Sequence, residues 1–406
     1  MVRIRCRVFP RGLNPPDSPL RKGDFSGKYE IDPFKKEDVP MLKKAAFPGK
    51  YIQGAGALAE LPSLVETFGR RGLVLASPTA CDKVLSGGGA DSPAPSLPVE
   101  RFGGECCEKE LSRLEAVLRE RSADVLVGMG GGKTIDTAKI AADRAGIPVL
   151  VVPTIASTDA PCSGCAVLYS EEGVFQSTCY QKSNPAVVLV DTQTIAEAPV
   201  RFLAAGMGDA LATWFEARSC NDTRSRNECG GLATVAGLDL ARLCYDTLLR
   251  YGTAAMAAAQ RNVVTPALER IVEANILLSG VGFESGGLAS AHAIHNGLTA
   301  LEETHAYYHG EKVAFGVLTG LQLTDAPPEE SDAAFSFCEE TGLPTTLADL
   351  GLGSAARDAL MLVAEKACAP GQCIHHEAGE ITPEKVLHAM LAADALGERR
   401  KNRSGS

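Results

Sequence analysis

The chain changes character at Pro199, and that change constrains the fold more than any other feature of the sequence. Before it, short apolar runs alternate with amphipathic stretches; after it, strand signals almost vanish and Ala/Leu-rich segments dominate. Gly72–Ala76, Asp124–Gly128, Ile147–Val152 and Val187–Asp191 read as buried strands. Leu111–Arg121 and Thr134–Gly146 read as helices between them. Strands alternating with helices predict a parallel sheet covered on both faces. Cys165–Tyr169 and Val174–Cys179 flank Glu171-Glu172-Gly173 and read as a β-hairpin. Beyond Pro199, Leu203–Ala217, Leu232–Leu249, Thr265–Ser279, Lys312–Leu323 and Arg357–Cys368 read as helices. The expected fold is an α/β domain over 47–199, a Rossmann-like parallel sheet with a β-hairpin, followed by an all-helical domain over 200–400. Residues 86–98, rich in Gly, Pro and Ser, are expected to form a mobile surface loop.

The two ends stand apart from this pattern. Residues 1–46 form an N-terminal extension and 401–406 a polar tail. The extension carries Arg3, Arg5, Arg7, Arg11, Arg21 and Lys22 against Asp17 within its first 22 residues. That bias suits an organellar transit peptide, but Pro10, Pro15, Pro16 and Pro19 break the amphipathic helix such a peptide uses. The expectation is a cytoplasmic protein with a flexible extension, organellar targeting being the alternative.

Charge and cysteine usage exclude several classes. A formal net charge of −10 argues against nucleic-acid or anionic-membrane partners. No run approaches the ~18 apolar residues that span a bilayer. Thirteen cysteines, an odd number in a long chain, do not form a small secreted disulfide framework. Cys162-Ser163-Gly164-Cys165 is a lone CxxC without a second pair, and most thiols read as small buried side chains.

Gly128-Met129-Gly130-Gly131-Gly132-Lys133-Thr134 lies between a strand and a helix. Glycines let the backbone approach a pyrophosphate, and the helix N-terminus offers free N–H groups and the positive end of its dipole. Walker A requires Gly where Val127 stands, and GxGxxG requires Gly where Lys133 stands, so neither pattern is met. Thr154-Ile155-Ala156-Ser157-Thr158-Asp159 follows the next strand. Ligands of open α/β sheets bind at the carboxyl ends of strands, so this segment faces the same ligand or else forms a Ser/Thr turn.

Four of the seven histidines, His292, His295, His305 and His309, fall within 25 residues. Their spacings of three and four place each pair on one face of a helix, if both pairs are helical. Neutral imidazole is the commonest metal ligand, and a catalytic zinc takes three protein ligands with one position open. The spacing alone does not say which of the four bind.

Eight blocks in order carry a resemblance over residues 47–399: FPGKYIQGAG (47–56), FGGEC (102–106), GMGGGKTIDTAK (128–139), PTIASTDAPCS (153–163), AAGMGDALATWFEA (204–217), VVTPALERIVEAN (263–275), GVGFESGGLASAHAIHNGLTA (280–300) and YYHGEKVAFGVLTGLQL (307–323). Together they resemble the glycerol dehydrogenase branch of the metal-dependent, iron-type alcohol dehydrogenase superfamily. The resemblance implies a dehydroquinate synthase-like architecture and an NAD-dependent oxidation of glycerol at C2 to dihydroxyacetone. It implies zinc held by Asp209, His292 and His309, with His295 near the nicotinamide and His305 outside the ligand set. It implies NAD contacts from Gly130, Gly131, Gly132, Lys133, Thr154 and Ser157, further contacts from Ser163, Cys165 and Tyr169, and a substrate contact from Asp159. Oligomers of identical chains are expected.

Ser77 departs from the pattern. It stands where relatives carry an Asp that binds the adenosine ribose hydroxyls, so NADP is admitted beside NAD. Arg70 and Arg71, before the strand, are the cations expected within reach. The rival readings are another polyol or diol dehydrogenase acting on 1,2-propanediol or 2,3-butanediol, glycerol-1-phosphate dehydrogenase, dehydroquinate synthase, and a non-catalytic metal-binding relative. No Lys or Arg lies within 154–163 or 280–300, which disfavours the phosphate-using rivals.

Overall fold

The computed structural model describes residues 42–85 and 97–404. Residues 86–96 of the expected loop and most of the N-terminal extension therefore lie outside the described residues. The strands are β1 (Tyr51–Gly54), β2 (Gly72–Ala76), β3 (Val99–Arg101), β4 (Val125–Gly130), β5 (Val149–Pro153), β6 (Cys165–Tyr169), β7 (Phe175–Tyr180) and β8 (Val187–Asp191). The helices are α1 (Leu61–Phe68), α2 (Glu108–Glu120), α3 (Gly132–Ala145), α4 (Thr192–Ala196), α5 (Val200–Thr223), α6 (Val235–Ala259), α7 (Pro266–Glu273), α8 (Ser279–Gly286), α9 (Ser290–Leu298), α10 (His309–Leu323), α11 (Pro328–Thr341), α12 (Arg357–Ala367) and α13 (Pro383–Ser404).

Six strands form one sheet in the order β1-β8-β5-β4-β2-β3, and every pairing is parallel. β2, β4 and β8 are buried along their whole length, as a parallel sheet covered on both faces requires. One face packs Val74, Val127 and Leu189 against Leu61 and Val65 of α1. The other packs Leu73, Leu75 and Leu126 against Leu111 and Leu114 of α2 and Ala138 of α3. β6 and β7 form a separate antiparallel hairpin. From β2 the chain leads outward to β3 and then back across to β4. The strand order therefore reverses between β2 and β4, the place where open α/β sheets bind ligands.

After β8, among the described residues, the chain is helical to Ser404, with the largest core running through α5, α6, α9 and α10. The expected Thr265–Ser279 helix is interrupted by a π-turn over Ala274–Leu278. That turn aims the buried Asn275 at the sheet half: its Nδ2 donates to Ala156 O at 3.1 Å and to Leu203 O at 3.2 Å.

The described end of the extension is fastened to the helical half, earlier than the expected start at Phe47. Lys44 N–H donates to Leu232 O, Leu232 N–H to Leu42 O, and Ala46 N–H to Ser285 Oγ. No disulfide joins any of the twelve described cysteines. Among the described residues no helix is long and apolar enough to cross a membrane.

Candidate metal centre and cofactor crevice

Three helices converge on one point because glycines let them touch. A β-carbon on Gly310 would lie 1.8 Å from Ala205 O of α5, and one on Gly208 would lie 2.3 Å from Gly310 O. Only glycine permits this approach. It sets Asp209, next to Gly208, against His309, next to Gly310. His292 enters from the first turn of α9.

The three ligand atoms lie within 4.8 Å of one another. His309 Nε2 is 3.1 Å and His292 Nε2 3.4 Å from Asp209 Oδ1. Those contacts are close, yet Asp209 Oδ1 is buried and makes no hydrogen bond of proper geometry. An orphaned buried carboxylate oxygen facing two imidazole nitrogens fits a divalent cation. One carboxylate and two imidazoles are a familiar zinc donor set. His305 lies outside: it is exposed, and its Nε2 bonds Thr299 O at 3.0 Å.

The side chains behind the ligands fix their tautomers. Glu216, fully buried one helical face below Asp209, brings Oε2 to 2.6 Å from His292 Nδ1. Its Oε1 accepts the Ala289 and His292 N–H groups, capping α9, which has no cap of its own. Glu377 accepts the Ser290 N–H beside them. With Nδ1–H directed at Glu216, His292 turns the Nε2 lone pair outward. His309 Nδ1 lies 3.0 Å from His295 Nε2, and His295 Nδ1 lies 3.1 Å from Asn296 Oδ1. His295 is thus the orienting partner of His309.

Charge follows this geometry. Burial alone would raise the Asp209 carboxyl, but His309 and His292 hold it well below the usual carboxylate range. Burial disfavours the His292 imidazolium, yet Glu216 and Asp209 push its pKa up. Burial, then His309 and Lys312, push His295 down, so it is neutral. Asp159, on the loop after β5, sits beside the centre. Its N–H donates to Asp209 Oδ2 at 3.3 Å, and its Oδ2 accepts from Ser279 Oγ at 2.7 Å. Burial, and Asp209 next to it, push its carboxyl well up. Two adjacent carboxylates with such divergent environments divide the roles of anion and proton carrier.

The glycine turn lies at the carboxyl end of β4. Gly131 caps α3 without a side chain, and its O accepts the Thr134 and Ile135 N–H groups, which leaves the Gly132 and Lys133 N–H groups ahead of them for a ligand. A β-carbon on Gly130 would lie 2.9 Å from Ser77 Cβ and from Thr134 Oγ1, which fixes Ser77 against the turn. Thr154 N–H donates to Gly130 O at 3.0 Å, tying the β5 loop to it. Ser157 is half-buried on the same loop, and Gly132 is open to any approach.

Three of the expected cofactor contacts, Lys133, Ser163 and Cys165, have side-chain partners within the chain. Lys133 does not extend freely from the turn: its Nζ pairs with Glu105 and sits 5.1 Å over the Tyr169 ring. Ser163 is fully buried, its hydroxyl engaged within 3.4 Å of Ala160 O, Cys165 O and Lys139 Nζ, so it supports the loop from behind. Cys165 Sγ bonds Ser163 Oγ at 3.4 Å and does the same. Arg70 and Arg71 lie at the amino end of β2, on the opposite edge from the glycine turn, where Arg71 pairs with Asp124.

Sequence reasoning also missed buried residues. Lys139 is the largest of them: its Nζ donates to Ala160 O at 2.9 Å and lies 3.6 Å from Asp136, bracing the loop that carries Asp159. Glu284 clamps the two halves, accepting from Gly164 N–H at 2.8 Å and Asn184 Nδ2 at 2.5 Å. Glu216 had a readable signal. Asp209, Thr213 and Glu216 recur at i, i+4, i+7 on the otherwise apolar 203–217 stretch of α5, a polar stripe facing a core.

A model of the family described as iron-containing alcohol dehydrogenase matches residues 48–192. The glycerol dehydrogenase of Thermotoga maritima is 52% identical over 364 residues, covering 89% of this chain and all of that relative. The glycerol dehydrogenase of Escherichia coli O6:H1 is 49% identical, covering 87% of this chain and 96% of the relative. Among solved structures, a probable glycerol dehydrogenase from Sinorhizobium meliloti is similar with a TM-score of 0.83 at 47% identity, covering 88% of this chain and 100% of that one. The glycerol dehydrogenase of Schizosaccharomyces pombe gives 0.84 at 36% identity, covering 90% and 93%. With relatives of this identity spanning nearly their full length, and with the parallel sheet and helical half in the expected order, the chain belongs to the iron-containing alcohol dehydrogenase family and is an oxidoreductase.

Proposed function

We propose that this chain is a zinc-dependent glycerol dehydrogenase that oxidises glycerol at C2 to dihydroxyacetone with NAD as hydride acceptor. The observation that carries the reading is the convergence of Asp209 Oδ1, His292 Nε2 and His309 Nε2, joined through the Asp159 N–H to the loop beside the glycine turn. Relatives at about half identity bear the name glycerol dehydrogenase, which supports the substrate.

When bound, zinc supplies Lewis acidity at the alcohol oxygen, and the nicotinamide supplies the hydride acceptor. Asp209, His292 and His309 would hold the metal. Glu216 and His295 keep both imidazoles in the Nδ1–H tautomer, leaving each Nε2 lone pair for ligation. Asp159, with its raised carboxyl, can donate as well as accept a hydrogen bond, and so orients neighbouring polyol hydroxyls. Neutral His295, held by Asn296, accepts the His309 Nδ1–H and so keeps the His309 Nε2 lone pair turned toward the site. The Gly132 and Lys133 N–H groups of α3 would bind the pyrophosphate.

A relative 41% identical is a glycolaldehyde reductase from Halobacterium salinarum, which favours short hydroxylated substrates as the class. Initial rates with glycerol, 1,2-propanediol, 2,3-butanediol and, in reverse, glycolaldehyde test the reading. Glycerol with NAD should give the highest kcat/KM among the alcohols. Turnover of another diol with none of glycerol would replace the substrate assignment, and no turnover of any would overturn the reading.

A further inference from the structure

The sheet order fixes where each half of a dinucleotide must lie. β4, which carries the glycine turn, has β5 on one side and β2 on the other. β5 leads to Asp159 and the metal centre, so the reacting half of the cofactor lies over β5. The adenosine half then lies over β2, across the point where the strand order reverses. The residue at the end of that strand decides between cofactors: an acid there bonds the ribose 2′-hydroxyl, and a neighbouring cation accommodates a 2′-phosphate.

Here that residue is Ser77. Its N–H donates to Met129 O at 2.9 Å, and its side chain lies against Gly130. Its Oγ accepts the Ala80 N–H at 3.2 Å, which leaves its own proton free to donate. The next strand outward ends in Arg101, whose Cα is the register partner of Ala76, the residue before Ser77. Arg101 reaches back over this edge: Nη1 and Nη2 lie 3.1 and 3.4 Å from the Asp82 carboxylate, just beyond Ser77. Both partners are more than half exposed, at 56% and 63%.

We infer that Ser77 and Arg101 form a subsite for a ribose 2′-phosphate, so that the chain accepts NADP(H) as well as NAD(H). The inference rests on the dinucleotide reading above. The Ser77 hydroxyl donates to the phosphate, and the guanidinium fork suits its paired oxygens. Asp82 explains acceptance without requirement. An exposed ion pair is weak and solvent-screened, so Arg101 exchanges Asp82 for phosphate at little cost, while with NAD bound it remains paired.

The test is calorimetric titration of the full chain with 2′,5′-ADP and, separately, ADP-ribose, in wild type, Ser77→Asp and Arg101→Ala. kcat/KM for NADP and NAD is measured alongside. Wild type should bind both ligands. Arg101→Ala should weaken 2′,5′-ADP relative to ADP-ribose about tenfold or more, and Ser77→Asp should shift the ratio the same way through like-charge repulsion. Arg101→Lys should recover part of the loss, because a point charge lacks the fork. An unchanged ratio in folded Arg101→Ala, or wild type that binds ADP-ribose but not 2′,5′-ADP, overturns the inference and leaves the dinucleotide site standing. Failure of wild type to bind ADP-ribose overturns both.

Discussion

The metal centre and the adenosine edge of the sheet are built in opposite ways. At the centre, Asp209 and Glu216 are 1% exposed, three helices meet through glycines, and each histidine is held by a second side chain. At the adenosine edge, Ser77 is half-buried against Gly130, and the Arg101–Asp82 pair is exposed. A buried carboxylate without its partners carries a desolvation penalty of a few kcal/mol, so the centre tolerates few changes. The edge carries no such penalty. On the proposed reading, chemistry is fixed where the chain is most tightly packed, and cofactor choice is left where it is most open.

Four substitutions and one control, His305→Ala, sharpen that comparison, in descending order of effect. His309→Ala should abolish turnover and reduce metal content, while His305→Ala should keep both; metal analysis beside initial rates measures this. Gly310→Ala should destabilise the chain by about 1–3 kcal/mol through overpacking against Ala205 O, and weaken metal binding because α5 and α10 are forced apart. Thermal unfolding with and without zinc reads both effects, and an unshifted Tm would break the argument from close approach. Glu216→Gln keeps the shape but loses the anion behind His292; zinc affinity should fall about 10–100-fold, read by competition with a chelator. Ser77→Asp preserves the acceptor for the Ala80 N–H, so stability should change by no more than about 0.5 kcal/mol. A large loss there would mean the edge is as constrained as the centre.

The same contrast explains what the sequence made legible. β2, β4, β5 and β8 appear as continuous apolar runs because both faces of the sheet are covered. β1 and β3, the two sheet edges, are four and three residues long and include Gln53, Glu100 and Arg101, so they leave no apolar run to read. His292 and His295 do share α9, but His305 and His309 do not share a helix: the chain is extended at Tyr307 and Tyr308 between a short 3₁₀ turn and α10. A spacing of four says nothing when the helix starts between the two residues. The ligand set came from motif resemblance, whereas Glu216, Lys139 and Ser279 act across 24 to 120 positions of sequence, and local pattern does not encode such contacts.

On the proposed reading, Asp209, His292 and His309 hold one catalytic divalent metal. The most direct test is stoichiometric return of zinc to chelator-treated protein, followed by glycerol oxidation with NAD. Chelation should abolish activity, one equivalent of zinc per chain should restore it fully, and His292→Ala should not recover and should retain no tightly bound zinc. Full activity in the metal-free protein, or one tightly bound zinc in His292→Ala, would contradict that reading.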